Sequence, residues 1–153
     1  MTDVNETAPD FTLPATGGNT VTLSDLRGGP VVLFFYPRDD TSGCTKESIA
    51  FSGLKDAFDA AGCKVFGISK DSIASHEKFA AKHDLTVPLL SDENDGVCEA
   101  YGVWKEKSMY GKKFMGIERS TFLIDADGKI AKVWPKVKVP GHAEEVLEAV
   151  RAL

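Results

Sequence analysis

The run Val31-Val32-Leu33-Phe34-Phe35-Tyr36 constrains this chain more than any other segment. It is continuously apolar and β-prone, without the alternation of a half-exposed strand, so both of its faces must be covered. The next residues, Pro37-Arg38-Asp39-Asp40-Thr41-Ser42-Gly43-Cys44, form a short polar loop that ends in a cysteine, and a long helical pattern begins just beyond. A buried strand, a polar loop and a cysteine at a helix start together build a thiolate site. Amide N–H groups without partners and the positive end of the helix dipole both favour S⁻ over SH there. Cysteines so placed are reactive.

The rest of the chain fits layers around that strand. At 153 residues it is long enough for one domain with a sizeable core, and residues 1–153 read as a single domain. The 18 Lys+Arg against 23 Asp+Glu leave a net charge of −5, so there is no general attraction for nucleic acid or an anionic membrane. The nearest thing to a basic run, Lys105 to Lys113, is interrupted by Glu106, Met109, Tyr110 and Gly111 and reads as a solvated loop. No segment reaches the ~18 apolar residues of a membrane span, and Met1-Thr2-Asp3-Val4-Asn5-Glu6 is unlike a signal peptide, so a cytoplasmic location is expected. Three widely spaced cysteines do not make a secreted disulfide framework. In a reducing compartment they are buried hydrophobes or chemistry.

Asp10 to Leu13 and Thr20 to Leu23, around Gly17-Gly18-Asn19, read as an N-terminal β-hairpin, followed by a short turn at Ser24-Asp25-Leu26. After the Val31 to Tyr36 strand, Phe51, Leu54, Phe58 and Ala61 form one apolar stripe of a helix from about Thr45 to Ala61, with Gly62 at its C′ position. Cys63 to Ser69 is a strand; Asp71 or Ser72 caps a helix running to about His83; Val87 to Leu90 is a short strand; Asn94 to Tyr101 is a short helix. After a loop from Trp104 to Lys113, Ile117 to Ile124 and Lys129 to Trp134 flank the turn Asp125-Ala126-Asp127-Gly128, and His142 to Ala152 closes the chain as an amphipathic helix. Strands alternating with helices, then a hairpin and a last helix, indicate an α/β sheet with helices on both faces.

Pro37-x-x-x-Thr41-x-x-Cys44 at a strand-to-helix junction resembles the peroxidatic motif of the peroxiredoxins. Gly116-Ile117-Glu118-Arg119-Ser120-Thr121-Phe122-Leu123-Ile124-Asp125 resembles the strand that carries that family's active-site arginine. Val103-Trp104-x-Glu106-Lys107-Ser108 and Ala126-Asp127-Gly128-Lys129-Ile130 extend the similarity over nearly the whole chain, which is most similar to the PrxQ, or bacterioferritin comigratory protein, branch of the AhpC/TSA superfamily. The resemblance implies a thioredoxin-like fold with a central mixed β-sheet flanked by helices, and reduction of hydroperoxides by a cysteine. It implies no cofactor and no metal, a thiol reductant such as thioredoxin, glutaredoxin or a small thiol, and a monomer.

The chemistry gives those residue types reasons to be present. Thiolate attack on a peroxide O–O bond needs a deprotonated sulfur, two aligned oxygens and stabilisation of charge moving onto the leaving oxygen. Cys44 is the expected nucleophile. Arg119 supplies a fixed, always-charged fork for thiolate and peroxide, and the Thr41 hydroxyl both accepts and donates. Pro37 adds a rigid wall without an N–H, backbone N–H groups of Gly43 and Cys44 complete the cradle, and Tyr36 borders the pocket. The bland alternatives are a buried structural cysteine and an ordinary Arg119 ion pair.

Attack leaves Cys44 as a sulfenic acid that a second thiol must reduce. The relatives' usual resolving positions hold no cysteine here: five residues on is Ile49, and the stretch Phe79-Ala80-Ala81-Lys82 has none. Cys63 lies past the end of the expected helix, which would span about 25 Å, whereas a disulfide needs Cα atoms within about 7 Å. Cys98 cannot be placed by spacing. Cys98 and then Cys63 are weak candidates, and a one-cysteine cycle with an external thiol is expected.

Asp92-Glu93-Asn94-Asp95-Gly96 faintly resembles a calcium loop but lacks the later bidentate Glu, and helix capping accounts for it. His76 and His83 read as solvated helix residues. The alternative functions are a thioredoxin-like redox sensor or binding module, in which Cys44 oxidises slowly, and a disulfide-exchange module, against which the lack of a C-x-x-C weighs.

Overall fold

The computed structural model describes residues 3–153. At its centre is β3 (Val31–Phe35), every residue of which is buried. Alternate side chains feed two cores: Val31, Leu33 and Phe35 enter one, Val32 and Phe34 the other, with Tyr36 just past the strand end following the second pair. That is why the run could not alternate with polar residues. β3 pairs in parallel with β4 (Lys64–Ser69) and antiparallel with β8 (Ser120–Ile124). The sheet continues through β5 (Leu89–Ser91) to β1 (Thr12–Ala15) and β2 (Asn19–Thr22) on one side and to β9 (Ile130–Trp134) on the other. The strand order β2-β1-β5-β4-β3-β8-β9 makes a seven-stranded mixed sheet.

Helices flank this sheet, as expected. Buried residues of α1 (Ser42–Gly53), α2 (Lys55–Ala60), α3 (Ile73–His83) and α5 (His142–Arg151) share one core with Val32 and Phe34. The rings of Phe34 and Phe51 stack there at 4.5 Å. The short α4 (Val97–Ala100) and the N-terminal segment serve the other core through Val97, Phe11, Leu13 and Leu23. β4 passes so close to β3 and β5 that a Cβ on Gly67 would lie 2.7 Å from Phe34 Cζ and 2.9 Å from Leu89 Cδ2.

Several boundaries differ from expectation. The first hairpin sits about two residues further on at its first strand, because Ala15 pairs with Leu90 of β5 and draws β1 onto the sheet. The helix expected over Thr45–Ala61 starts earlier, at Ser42, and breaks at Leu54 (φ −104°, ψ 5°), directly after the poor helix former Gly53. The segment from Trp104 to Lys113 is no loop: β6 (Trp104–Met109) and β7 (Lys112–Ile117) form a separate antiparallel ribbon. Its two-residue turn has positive φ at Tyr110 (52°) and Gly111 (78°), the backbone of a primed hairpin turn. Most of its side chains are exposed, so it carries no apolar alternation. The strand expected over Ile117–Ile124 is interrupted at Glu118 and Arg119. There the backbone leaves the ribbon to bond Val103 and Val137 before joining the main sheet as β8.

Ser72 caps α3 by accepting from the Ser75 N–H. The Asp92 carboxylate accepts from the N–H groups of Val97 and Cys98, so this acidic stretch does start a helix. His76 is a correction. It is fully buried, not solvated, with both ring nitrogens engaged.

Candidate active site

The β3–α1 junction brings Cys44 to the third position of α1, behind the extended N-cap Thr41. The first N–H to close a helical bond is that of Thr45, onto the Thr41 carbonyl at 2.8 Å. Thr41 makes no side-chain cap, so the N–H groups of Ser42, Gly43 and Cys44 keep the unpaired, positive character of a helix start. Cys44 itself is 1% exposed and belongs to the core on the Phe34 side.

Arg119 reaches this sulfur from the break between β7 and β8. Its Nη2 donates to Cys44 Sγ at 3.3 Å and its Nη1 to Glu47 Oε1 at 2.7 Å. One guanidinium thus bridges two residues a helical turn apart on α1. Glu47 is buried and its Oε2 has no partner among the described residues. Burial pushes its carboxyl up to about 7 despite the opposing attraction of Arg119. Arg119 stays cationic: burial pulls it down, but the charges of Glu47 and Cys44 beside it outweigh that and raise it. Lys107 of β6 adds a second cation; burial, then repulsion from Arg119, holds it below the usual lysine range, against attraction from Cys44. Its Nζ donates to the Ile117 carbonyl.

The structure therefore brings Cys44 and Arg119 together, with Gly43 pressed against the arginine: a Cβ at Gly43 would lie 3.0 Å from Arg119 Nη2. Pro37 and Thr41 lie on the loop leading into α1, and the Thr41 hydroxyl donates to the Arg38 carbonyl at 3.0 Å, leaving its oxygen free to accept. Tyr36, expected at the pocket border, is fully buried, and its hydroxyl donates to Asp39 Oδ1 at 2.6 Å. Cys63 and Cys98 are both free and buried. Burial pushes the Cys63 thiol up to about 12, and burial followed by Asp92 raises Cys98 further. Cys98 lies in the core on the opposite side of the sheet from Cys44. Sequence reasoning passed over Glu47, Lys107, Asp39 and His76. Only Glu47 carried a signal, as an acidic residue one turn after Cys44 on a face that also bears Phe51.

The chain is similar to known proteins over nearly its whole length. The model of the AhpC/TSA family matches residues 4–133. Peroxiredoxin Bcp of Xanthomonas campestris is 48% identical over 143 residues, covering 94% of this chain and 89% of the relative. A Xylella fastidiosa PrxQ mutant structure superposes with a TM-score of 0.94 at 42% identity, over 99% of this chain and 97% of that one. A structure of the Xanthomonas campestris bacterioferritin comigratory protein, from work on its alkyl peroxide reduction activity, gives a TM-score of 0.90 at 44% identity, over 99% and 96% of the two chains. The chain belongs to the AhpC/TSA family, among the PrxQ/Bcp peroxiredoxins, and is a thiol-dependent peroxidase.

Proposed function

We propose that Cys44 is the peroxidatic nucleophile of a one-cysteine cycle acting on hydrogen peroxide and organic hydroperoxides. The thiolate attacks the terminal oxygen of R–O–O–H; an S–O bond forms, the O–O bond breaks, and its electron pair leaves on RO⁻, which takes up a proton to become ROH. Cys44 is left as S–OH. An external thiol then displaces water to give a mixed disulfide, and a second thiol releases Cys44 reduced.

The observation that carries this reading is the 3.3 Å contact from Arg119 to the sulfur at a helix start with unpaired amides. There the guanidinium favours S⁻ and can stabilise charge on the leaving oxygen. The Thr41 oxygen accepts a hydrogen bond from the peroxide O–H, the Gly43 and Cys44 amides complete the cradle, and Pro37 walls it from water. Alkyl peroxide reduction by the Xanthomonas campestris relative supports organic substrates. The burial of Cys63 and the position of Cys98 across the sheet support resolution from outside, by thioredoxin, glutaredoxin or a small thiol. The reading includes a cytoplasmic monomer folding as one unit, without cofactor or metal. Among the described residues no helix is long and apolar enough to cross a membrane.

Mass spectrometry without reductant, after one equivalent of hydrogen peroxide, tests the cycle. A single added oxygen on Cys44, removable by thiol, is expected; a Cys44–Cys63 or Cys44–Cys98 disulfide would overturn it.

A further inference from the structure

The loop between β3 and α1 is fastened to α3 through a buried cluster that the reaction chemistry does not use. The Asp39 carboxylate accepts from the Tyr36 hydroxyl at 2.6 Å, the Ser75 hydroxyl at 2.7 Å and His76 Nδ1 at 2.7 Å. The other ring nitrogen, Nε2, lies 2.9 Å from the Leu90 carbonyl on β5. Both ring nitrogens are thus held, one by the Asp39 carboxyl and one by a main-chain carbonyl. Burial pushes the Asp39 carboxyl up, but hydrogen bonds from His76 and Tyr36 outweigh it and leave the group below the usual carboxylate range.

The fastening extends to the backbone. The Asp39 N–H donates to Asp71 Oδ2 at 2.8 Å, and that oxygen also accepts from Ser69 Oγ at 2.6 Å. The next residue, Asp40, sits in the left-handed region at φ 58°, a conformation that persists where its surroundings enforce it. An exposed tie from Asp40 to Lys82 (2.7 Å) and His83 (2.9 Å) runs to the same helix. Ligand atoms of Asp39, Asp71 and His76 lie within 4.8 Å of one another, close enough for a cation. Both His76 nitrogens are already taken by protein partners, however, so the ring offers a metal no free nitrogen.

We propose that the buried Asp39–His76 hydrogen-bonded pair, completed by Tyr36, is a positioning device for peroxide reduction. It locks the backbone of residues 37–41 so that Pro37 and Thr41 meet the peroxide in register with Cys44. This rests on the functional reading above. The pair touches no reacting atom; it acts through the loop, and misplacement by about 1 Å costs ~100-fold in such displacements. Removing one partner of a buried hydrogen-bonded pair leaves the other unsatisfied, so one substitution is enough to loosen it.

The test separates alignment from thiolate formation. In Asp39→Asn and His76→Gln, sulfenate formation with hydrogen peroxide should slow by about 10- to 100-fold. Cys44 alkylation by iodoacetamide, which needs only the thiolate, should stay within about twofold. Amide exchange over residues 39–45 should rise in both variants. If either substitution prevents folding, Tyr36→Phe, which removes one hydroxyl, should give a smaller loss of about threefold in the same direction. Wild-type peroxide rates in the variants, a parallel fall in alkylation, or an equal loss in Lys82→Ala would each overturn the device. If the wild-type protein itself ignored peroxide while exchange still rose in the variants, the functional reading would fall and the clamp would stand.

Discussion

Cys44 is buried, yet its sulfur faces a guanidinium and the start of a helix, so its environment is apolar in packing and cationic in field. Replacing it by Ser should abolish hydroperoxide turnover in a stopped-flow assay, and unchanged turnover would end the assignment. Arg119→Ala should slow the peroxide step by about 10²- to 10³-fold, the usual effect of losing one transition-state donor. It should also move the onset of Cys44 alkylation to higher pH. Glu47 allows a sharper test. Its carboxyl is raised to about 7 from the usual 4.5, so the folded chain holds a proton that the unfolded chain has lost between those values, and stability from this group falls as pH rises through that window. Glu47→Gln mimics the neutral acid. Urea unfolding should show the variant gaining on wild type by a few kcal/mol from pH 5 to pH 8. A pH-independent difference would mean that Arg119 keeps the carboxylate ionised throughout. Cys44 was legible as a cysteine at a helix start, and Arg119 through a strand motif that resembles that of the peroxiredoxins; the structure sets the two 3.3 Å apart. His76 was not, because a histidine on a helix face reads the same whether water or Asp39 lies opposite.

At the scale of elements, the helices and strands follow local signals where those signals are strong. The all-apolar β3, the Ser72 cap of α3 and the Asp125 turn, in which Oδ1 accepts from the N–H groups of Asp127 and Lys129, all formed where the sequence indicated. The β6–β7 ribbon did not announce itself, because Tyr110 stands fully in solvent and its neighbours are mostly exposed. A strand pair without a buried face has no period to read. Close packing in the middle of the sheet yields a prediction. Gly67→Ala would push a methyl into Phe34 and Leu89, neither of which has room to retreat, and should lower stability by about 1–3 kcal/mol in chemical denaturation. Unchanged stability would mean that β4 can shift away from β3.

For the whole molecule, the sheet separates Cys98 from Cys44, while Cys63 shares the Cys44 core but is sealed at the start of β4 with its N–H bonded to the Phe58 carbonyl. A Cys63→Ser/Cys98→Ser double variant should therefore turn over hydroperoxide with an external thiol at a rate within about twofold of wild type. A large loss would bring one of these thiols into the cycle. The sequence by itself determined the α/β class, the strand that both cores share, and a cysteine at a helix start, because burial on two faces and a thiolate site each demand particular residue types in a particular order, while the motif's resemblance to the peroxiredoxins pointed to Arg119. Only the tertiary structure decided that Glu47 shares the Arg119 guanidinium and that His76 and Asp39 fasten the loop to α3. Those partnerships join residues tens of positions apart, and their energy comes from desolvation and hydrogen-bond geometry that exist only once the chain has closed around them.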